Sequence, residues 1–189
     1  MTSTRRDYFD QMYDGDADPW GFESSAYEQR KYALTMASLP DSHYGSVFEP
    51  GCSIGVLTAM LAARCDRLLA TDLVPAALKR ARNRLAGQPH VTLEERAIPE
   101  EWPEATFDLV VLSEIAYYFD SSDLERVMSL VVGSMSSGAQ VLGVHWRGTT
   151  DYPLSGDAAH ELMAATPELA LVVHHVEADF LLDVWERRA

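Results

Sequence analysis

The residues best placed to do chemistry are Glu49, Gly51, Gly55 and Asp72. The stretch FEPGCSIG puts an acid just ahead of a tight turn, Gly51-Cys52-Ser53-Ile54-Gly55. LLATDL then puts a second acid at the end of the next apolar run, followed by Leu73. A glycine-marked turn between a strand and a helix lets backbone approach a nucleotide closely. A dinucleotide loop would read G-x-G-x-x-G and rest a pyrophosphate on the helix N-terminus. Here the spacing is G-x-x-x-G, and Glu49 would repel a diphosphate, which disfavours NAD. The same carboxylate suits a cationic nucleoside. S-adenosylmethionine has no phosphate and carries an ammonium and a sulfonium. Glu49 can accept from the ammonium, directly or through water, and Asp72 can take both ribose hydroxyls. Taken singly, Glu49 reads equally well as an exposed strand-end acid, and Asp72 as a helix N-cap before Pro75. Two acids at adjacent strand ends, with the glycine turn between them, favour the ligand.

A second group follows later in the chain. SEIAYYF supplies Ser113 and Glu114, expected beside the cofactor's methionine end, and Tyr117 and Tyr118. Glu114 could receive an amine proton or hold an ammonium, and tyrosine faces suit cations and sugars. The stretch HWRGTTDYPLSGDAAH is dense in polar groups. His145 is its best general-base candidate, because imidazole titrates near neutrality; a buried, hydrogen-bonded structural histidine is the commoner outcome. Arg147, Asp151, Tyr152, Asp157 and His160 are substrate-binding candidates mixed with turn formers. His174 and His175 have no expected role. No metal-ligand spacing is visible among these residues.

The elements that must position these groups alternate. Apolar runs at 46–49, 67–73, 91–97 and 107–114 read as strands, as do 139–146, 169–175 and 179–186. Helical spacing is expected at 27–40, 55–64, 76–85, 121–132 and 155–166. This alternation predicts an α/β fold, a mostly parallel sheet with helices on both faces. The last two strands have almost no linker and should pair as an antiparallel hairpin. Residues 1–189 read as a single domain: an N-terminal helical segment over 1–44 and a Rossmann-like core over 45–189. Within the first segment, DPWGF reads equally as a lid, with Trp20 and Phe22 covering the cofactor and Tyr27, Arg30 and Lys31 facing inward, or as a stretch in which Trp20 is a simple hydrophobic anchor.

The bulk properties limit the partners. The chain has 189 residues, 47% of them hydrophobic and 23% charged, with a formal net charge of -14. Lys31 and Lys79 are its only lysines, so no basic stripe exists to follow a phosphate backbone. Nucleic acid is therefore not an expected partner, and an Asn-Pro-Pro-aromatic motif, typical of nucleobase amino methylation, is absent. No apolar run suits a signal peptide or a membrane span. Cys52 and Cys65 lack CxxC spacing and read as reduced thiols of a cytoplasmic protein. The oligomeric state is not legible.

FEPGCSIG, LLATD and FDLVVLSE resemble the motifs of class I S-adenosylmethionine-dependent methyltransferases. DPWGFESSAYEQRKYALTMASLP, EPGCSIGVLT and SEIAYYF resemble, more narrowly, the NodS-like family, whose nodulation N-methyltransferase acts on the free amine of a chitooligosaccharide. The family's usual loop has glycine where Ser53 stands. The resemblance implies a seven-stranded Rossmann-like sheet of order 3-2-1-4-5-7-6 with strand seven antiparallel. It implies a cofactor site of Glu49, Gly51, Cys52, Ser53, Gly55, Asp72, Leu73, Ser113, Trp20 and Arg30, with an adenine pocket around Ala97 and Ile98. The expected reaction is N-methylation of a small amine, such as an amino sugar or specialised metabolite, with S-adenosylhomocysteine as the other product. O-methylation of a small molecule, and a non-catalytic cofactor-binding partner domain, are the alternatives.

Overall fold

The chain is described from a computed structural model covering residues 2–188; the end residues of the expected single domain, Met1 and Ala189, lie outside the described residues. Seven strands follow the order β3-β2-β1-β4-β5-β7-β6. They belong to two compact units, Arg5–Ala97 and Met1–Thr4 with Ile98–Ala189.

In the Arg5–Ala97 unit, β1 (Val47–Pro50), β2 (Leu68–Asp72) and β3 (Val91–Glu95) pair in parallel. β1 is buried along its whole length, as a strand covered on both faces must be. The connecting helices are α3 (Val56–Ala62) and α4 (Pro75–Arg84). Pro75 opens α4 because its missing N–H is one that no helical turn could have satisfied there. Ahead of the sheet lie α1 (Arg6–Gly15) and α2 (Ala26–Ser38). Ser25 caps α2 by accepting from the Glu28 N–H, and the helix stops before Pro40. The sequence expectation of one N-terminal helix thus becomes two. Arg5, which precedes α1, gives it no side-chain cap; its signal is the i, i+4 pair Phe9 and Tyr13, both packed against the cluster of Ile54, Val74 and Ala77.

In the other unit, β4 (Phe107–Ser113) pairs in parallel with β5 (Met135–Trp146), and β7 (Phe180–Arg187) runs antiparallel between β5 and β6 (Leu169–Val176). Leu109–Leu112 of β4 are fully buried, each such aliphatic side chain contributing roughly 1.5–3 kcal/mol by leaving water. A 3-10 turn, Ala116–Tyr118, follows β4 and leads to α5 (Ser121–Ser134), capped by Asp120. α6 (Gly156–Ala164) is capped by Ser155. β5 begins earlier than its apolar run indicates, and Gly138 takes a φ of +75° within it. Among the described residues, no helix is long and apolar enough to cross a membrane, and no group of three or more His, Cys, Asp or Glu could hold a metal ion.

Candidate functional site

The glycine turn after β1 packs three positive φ angles into five residues: Gly51 at +73°, Ser53 at +51° and Gly55 at +78°. Gly55 is needed twice over. Its φ favours glycine, and a Cβ there would lie 3.1 Å from the Ala81 Cβ and 3.2 Å from the Ala81 Cα. Ser53 occupies a conformation that costs a residue with a side chain roughly 1–2 kcal/mol, which explains why glycine is the usual occupant. Three bonds hold it there. The Ser53 N–H donates to Asp72 Oδ2 at 2.8 Å, the Gly55 N–H donates to the Cys52 carbonyl at 3.0 Å, and the Ser53 and Tyr13 hydroxyls are hydrogen-bonded. Cys52 offers the site only backbone, because its side chain is buried against Ala70, Leu78 and Leu93; burial also pushes its thiol well above the usual range.

Asp72 is less open to a ligand than its position at the end of β2 suggests. Oδ2 accepts from Ser53 and Oδ1 accepts from the Val74 N–H at 2.9 Å. Burial pushes its carboxyl up, and the Val74 and Ser53 N–H groups pull the other way. A carboxylate offers about four acceptor directions, more than these N–H groups and that of Leu73 take up, so Asp72 organises the loop and still has capacity for a ribose hydroxyl. Leu73, beside it, is half-buried and packs on Ile54, Val74 and Ala77.

Glu49 is the unusual group of this half. It is 2% exposed, and its Oε2 has no hydrogen-bond partner among the described residues. Burial pushes its carboxyl up to about 8; the Thr58 hydroxyl pulls it back and the nearby Asp72 charge adds to the rise. A buried carboxyl oxygen without a partner is costly, and an ammonium donor would relieve it. The orphaned oxygen is thus the feature that fits the charged end of S-adenosylmethionine.

The N-terminal aromatics lie against this loop within the same unit. Tyr13, Trp20 and Phe22 form a chain of ring contacts with centroids 5.6 Å apart, and Phe22 and Tyr13 pack against the cluster of Ile54, Val74 and Ala77. Asp18 closes the intervening turn by accepting from the Phe22 and Glu23 N–H groups, each at 2.9 Å. Trp20 is half-buried, whereas Arg30 is exposed. Lys31 is buried against Glu28 at 2.9 Å, with its ammonium 4.9 Å from the Tyr27 ring centre. Ala97 is half-buried at the end of this unit.

The second unit gathers a different set. Ile98 and Ser113 are half-buried in it. Glu114 has a φ of +56°, and its N–H donates to the Val144 carbonyl at 2.9 Å. Its Oε2 accepts from the Tyr117 hydroxyl and, at 3.0 Å, from the Trp146 N–H. Tyr117 stacks on Tyr152 with centroids 5.2 Å apart, and Tyr118 touches both rings at 4.8 and 4.6 Å. Burial, then the Glu114 charge, pushes the Tyr117 phenol well up, so it stays a donor. The structure therefore brings Glu114, Tyr117, Tyr118 and Tyr152 together. It does not add Arg147, whose guanidinium is held by Asp157 at 2.8 and 3.1 Å and by the Glu177 carbonyl. Asp151 is exposed.

His145 is fully buried. Its Nε2 accepts the Ala116 N–H at 3.0 Å, and its Nδ1 lies 2.9 Å from His160 Nε2. His160 Nδ1 is 2.6 Å from Asp183 Oδ2, and His174 Nδ1 is 2.6 Å from Asp183 Oδ1. Asp183 and Tyr13 are residues the sequence reading missed. Their signals are a lone acid inside the apolar run FLLDVW and the helical spacing of Tyr13 from Phe9.

An acid-ended β1, a glycine turn, an acid-ended β2 and the strand order 3-2-1-4-5-7-6 define the class I S-adenosylmethionine-dependent methyltransferases. Within that class the chain belongs to the NodS family, described as Nodulation protein S (NodS), which matches residues 4–145. Nodulation protein S of Bradyrhizobium diazoefficiens is 37% identical over 102 residues, 53% of this chain and 49% of that one. Two other rhizobial Nodulation protein S chains are matched over 53% and 60% of their lengths, so the chain spans about half the length of these curated relatives. A candidate methyltransferase from Pseudomonas syringae has a similar crystal structure, with a TM-score of 0.78 and 42% identity; the match covers 86% of this chain and all of that one. The N-methyltransferase NodS of Bradyrhizobium japonicum WM9, in complex with S-adenosyl-L-homocysteine, shares the fold with a TM-score of 0.86 at 22% identity, over 95% of this chain and 98% of that one.

Proposed function

We propose that this chain transfers a methyl group from S-adenosylmethionine to the nitrogen of a small amine. The observation that carries the reading is the Glu114 carboxylate, held by the Trp146 N–H and the Tyr117 hydroxyl beside three tyrosine rings. The cofactor supplies an electrophilic methyl on sulfur, and it leaves as a neutral thioether. An ammonium has no lone pair to attack with, so the acceptor must first lose a proton. Glu114 is the group that takes it, and the tyrosine faces hold the cation beforehand. In the other unit, Glu49 holds the cofactor's ammonium, Asp72 its ribose, and the Gly51–Gly55 turn gives the backbone close approach. Tyr13, Trp20 and Phe22 shield that loop from water. A related protein described as an N-methyltransferase supports nitrogen over oxygen. The acidic surface supports a small cationic acceptor rather than nucleic acid, and two free thiols suit a reducing, cytoplasmic setting.

The test is a panel of amino sugars and simple primary amines, each paired with its alcohol analogue, incubated with methyl-labelled donor. Labelled product with the methyl on nitrogen is expected, and Glu114→Gln should lower kcat by roughly 100-fold or more, as loss of an acid–base group does. Methylation of the alcohols alone would overturn the reading.

A further inference from the structure

The buried histidines have a defined proton order. A backbone N–H can only donate, so Ala116 makes Nε2 of His145 an acceptor. The His145 proton then sits on Nδ1 and is donated to Nε2 of His160. His160 in turn carries its proton on Nδ1 and donates it to the Asp183 carboxylate. Asp183 is 5% exposed, His160 4% and His145 fully buried, so water does not compete for these bonds. The order starts from a fixed charge on β7, crosses α6 and β5, and ends on the backbone of the turn that carries Glu114 and Tyr117. The same turn is fastened by the next residue of β5, since Trp146 donates to Glu114. Tyr117 also packs edge-on against the His145 ring at 5.3 Å.

We infer that His145, ordered by His160 and Asp183, is a positioning residue that holds the Glu114–Tyr118 turn in the shape the amine site uses. With both ring nitrogens engaged, His145 acts through the Ala116 N–H and not as the general base that its sequence position suggested. The purpose assigned to the turn rests on the N-methylation reading; the proton order does not.

Nitrogen-15 spectra of histidine-labelled protein around neutral pH test the order without any variant. His145 and His160 should both be neutral, protonated on Nδ1 and bare on Nε2. A proton on Nε2 of His145, or a cationic His145, overturns the inference. Two variants test the positioning. His160→Leu cuts the order, while His160→Gln preserves it, because an amide oxygen accepts from His145 and its NH2 donates to Asp183. Amide exchange at Ala116 and Trp146 should quicken about tenfold in His160→Leu, the effect of losing one buried hydrogen bond's support. Val110 and Val111 amides should not change, and His160→Gln should restore protection. Unchanged exchange at Ala116 in His160→Leu overturns the role, and should that variant not fold, the wild-type spectra still decide the proton order on which the role depends. With any amine of the panel that is methylated, kcat should fall in His160→Leu while S-adenosylhomocysteine affinity holds. If no amine is methylated, the N-methylation reading falls, and the spectra and exchange rates judge the positioning role separately.

Discussion

Glu49 shows how one buried oxygen ties chemistry to pH. Its carboxyl, pushed up to about 8 by burial, is protonated in the free protein at neutral pH, whereas holding an ammonium requires the ionised form. Binding should therefore expel a proton below pH 8, and affinity should rise as pH climbs toward that value. Calorimetry of S-adenosylhomocysteine binding near pH 7, in buffers of different ionisation heat, should show that release; identical heats would count against the role of Glu49. Glu49→Gln should weaken binding roughly 10- to 100-fold, the worth of one charge-assisted hydrogen bond, and should abolish the buffer dependence. At this scale the sequence was informative where chemistry dictates a residue type. The glycines at 51 and 55 were legible because the turn takes positive φ at both, and the acids at 49 and 72 because charge near two adjacent strand ends stands out in apolar runs; their roles toward a cofactor are part of the proposal. Asp183 was not, since a single acid in an apolar strand does not announce which partners will reach it.

The elements constrain the site through close packing. Gly55, the N-cap of α3, lies so close to Ala81 of α4 that a methyl group there would force the helices to shift by a few tenths of an ångström. Gly55→Ala should cost about 1–3 kcal/mol, from the left-handed φ and the contact with Ala81 together, read as a lowered melting temperature. α1 and the DPWGF segment form a second such constraint, because Tyr13 and Phe22 pack against the cluster of Ile54, Val74 and Ala77, and the Tyr13 hydroxyl is bonded to Ser53 in the turn. Deleting the chain up to Phe22 should lower cofactor affinity at least several-fold while β1–β3 stay folded, measured by calorimetry and circular dichroism; unchanged affinity would remove the lid from the account. Strand and helix alternation was readable because every crossover helix and nearly every strand has an apolar run of its own period. α1 was not read as a helix of its own, because nothing in its first turn caps it. The histidine order was not readable either, because its members come from β5, α6, β6 and β7 and meet only through tertiary pairing.

At the scale of the whole molecule, buried acids pull stability in opposite directions with pH. Glu49 and Asp72 bind protons more tightly folded than unfolded. Stability from such groups is complete below the ordinary carboxylate range and is lost as pH rises through their folded values, up to about 5 kcal/mol for Glu49. Asp183 is the reverse case. Burial alone would raise its carboxyl, but hydrogen bonds from His160 and His174 outweigh that and hold it low. Its contribution is present above the ordinary Asp value and disappears as pH falls through its depressed one. The ligand-free protein should melt highest at mildly acidic pH, about 5, and lower toward pH 8.5. Calorimetric scans should show the alkaline decline flattened in Glu49→Gln and the acid decline softened in Asp183→Asn.

The serine at position 53 has one last consequence. A loop with glycine there can settle into its left-handed bend unaided, whereas this one leans on a phenol borrowed from α1. Its readiness for a nucleoside is conditional on a neighbour, and Ser53→Gly should make it self-sufficient, leaving Tyr13→Phe without effect on binding in that background.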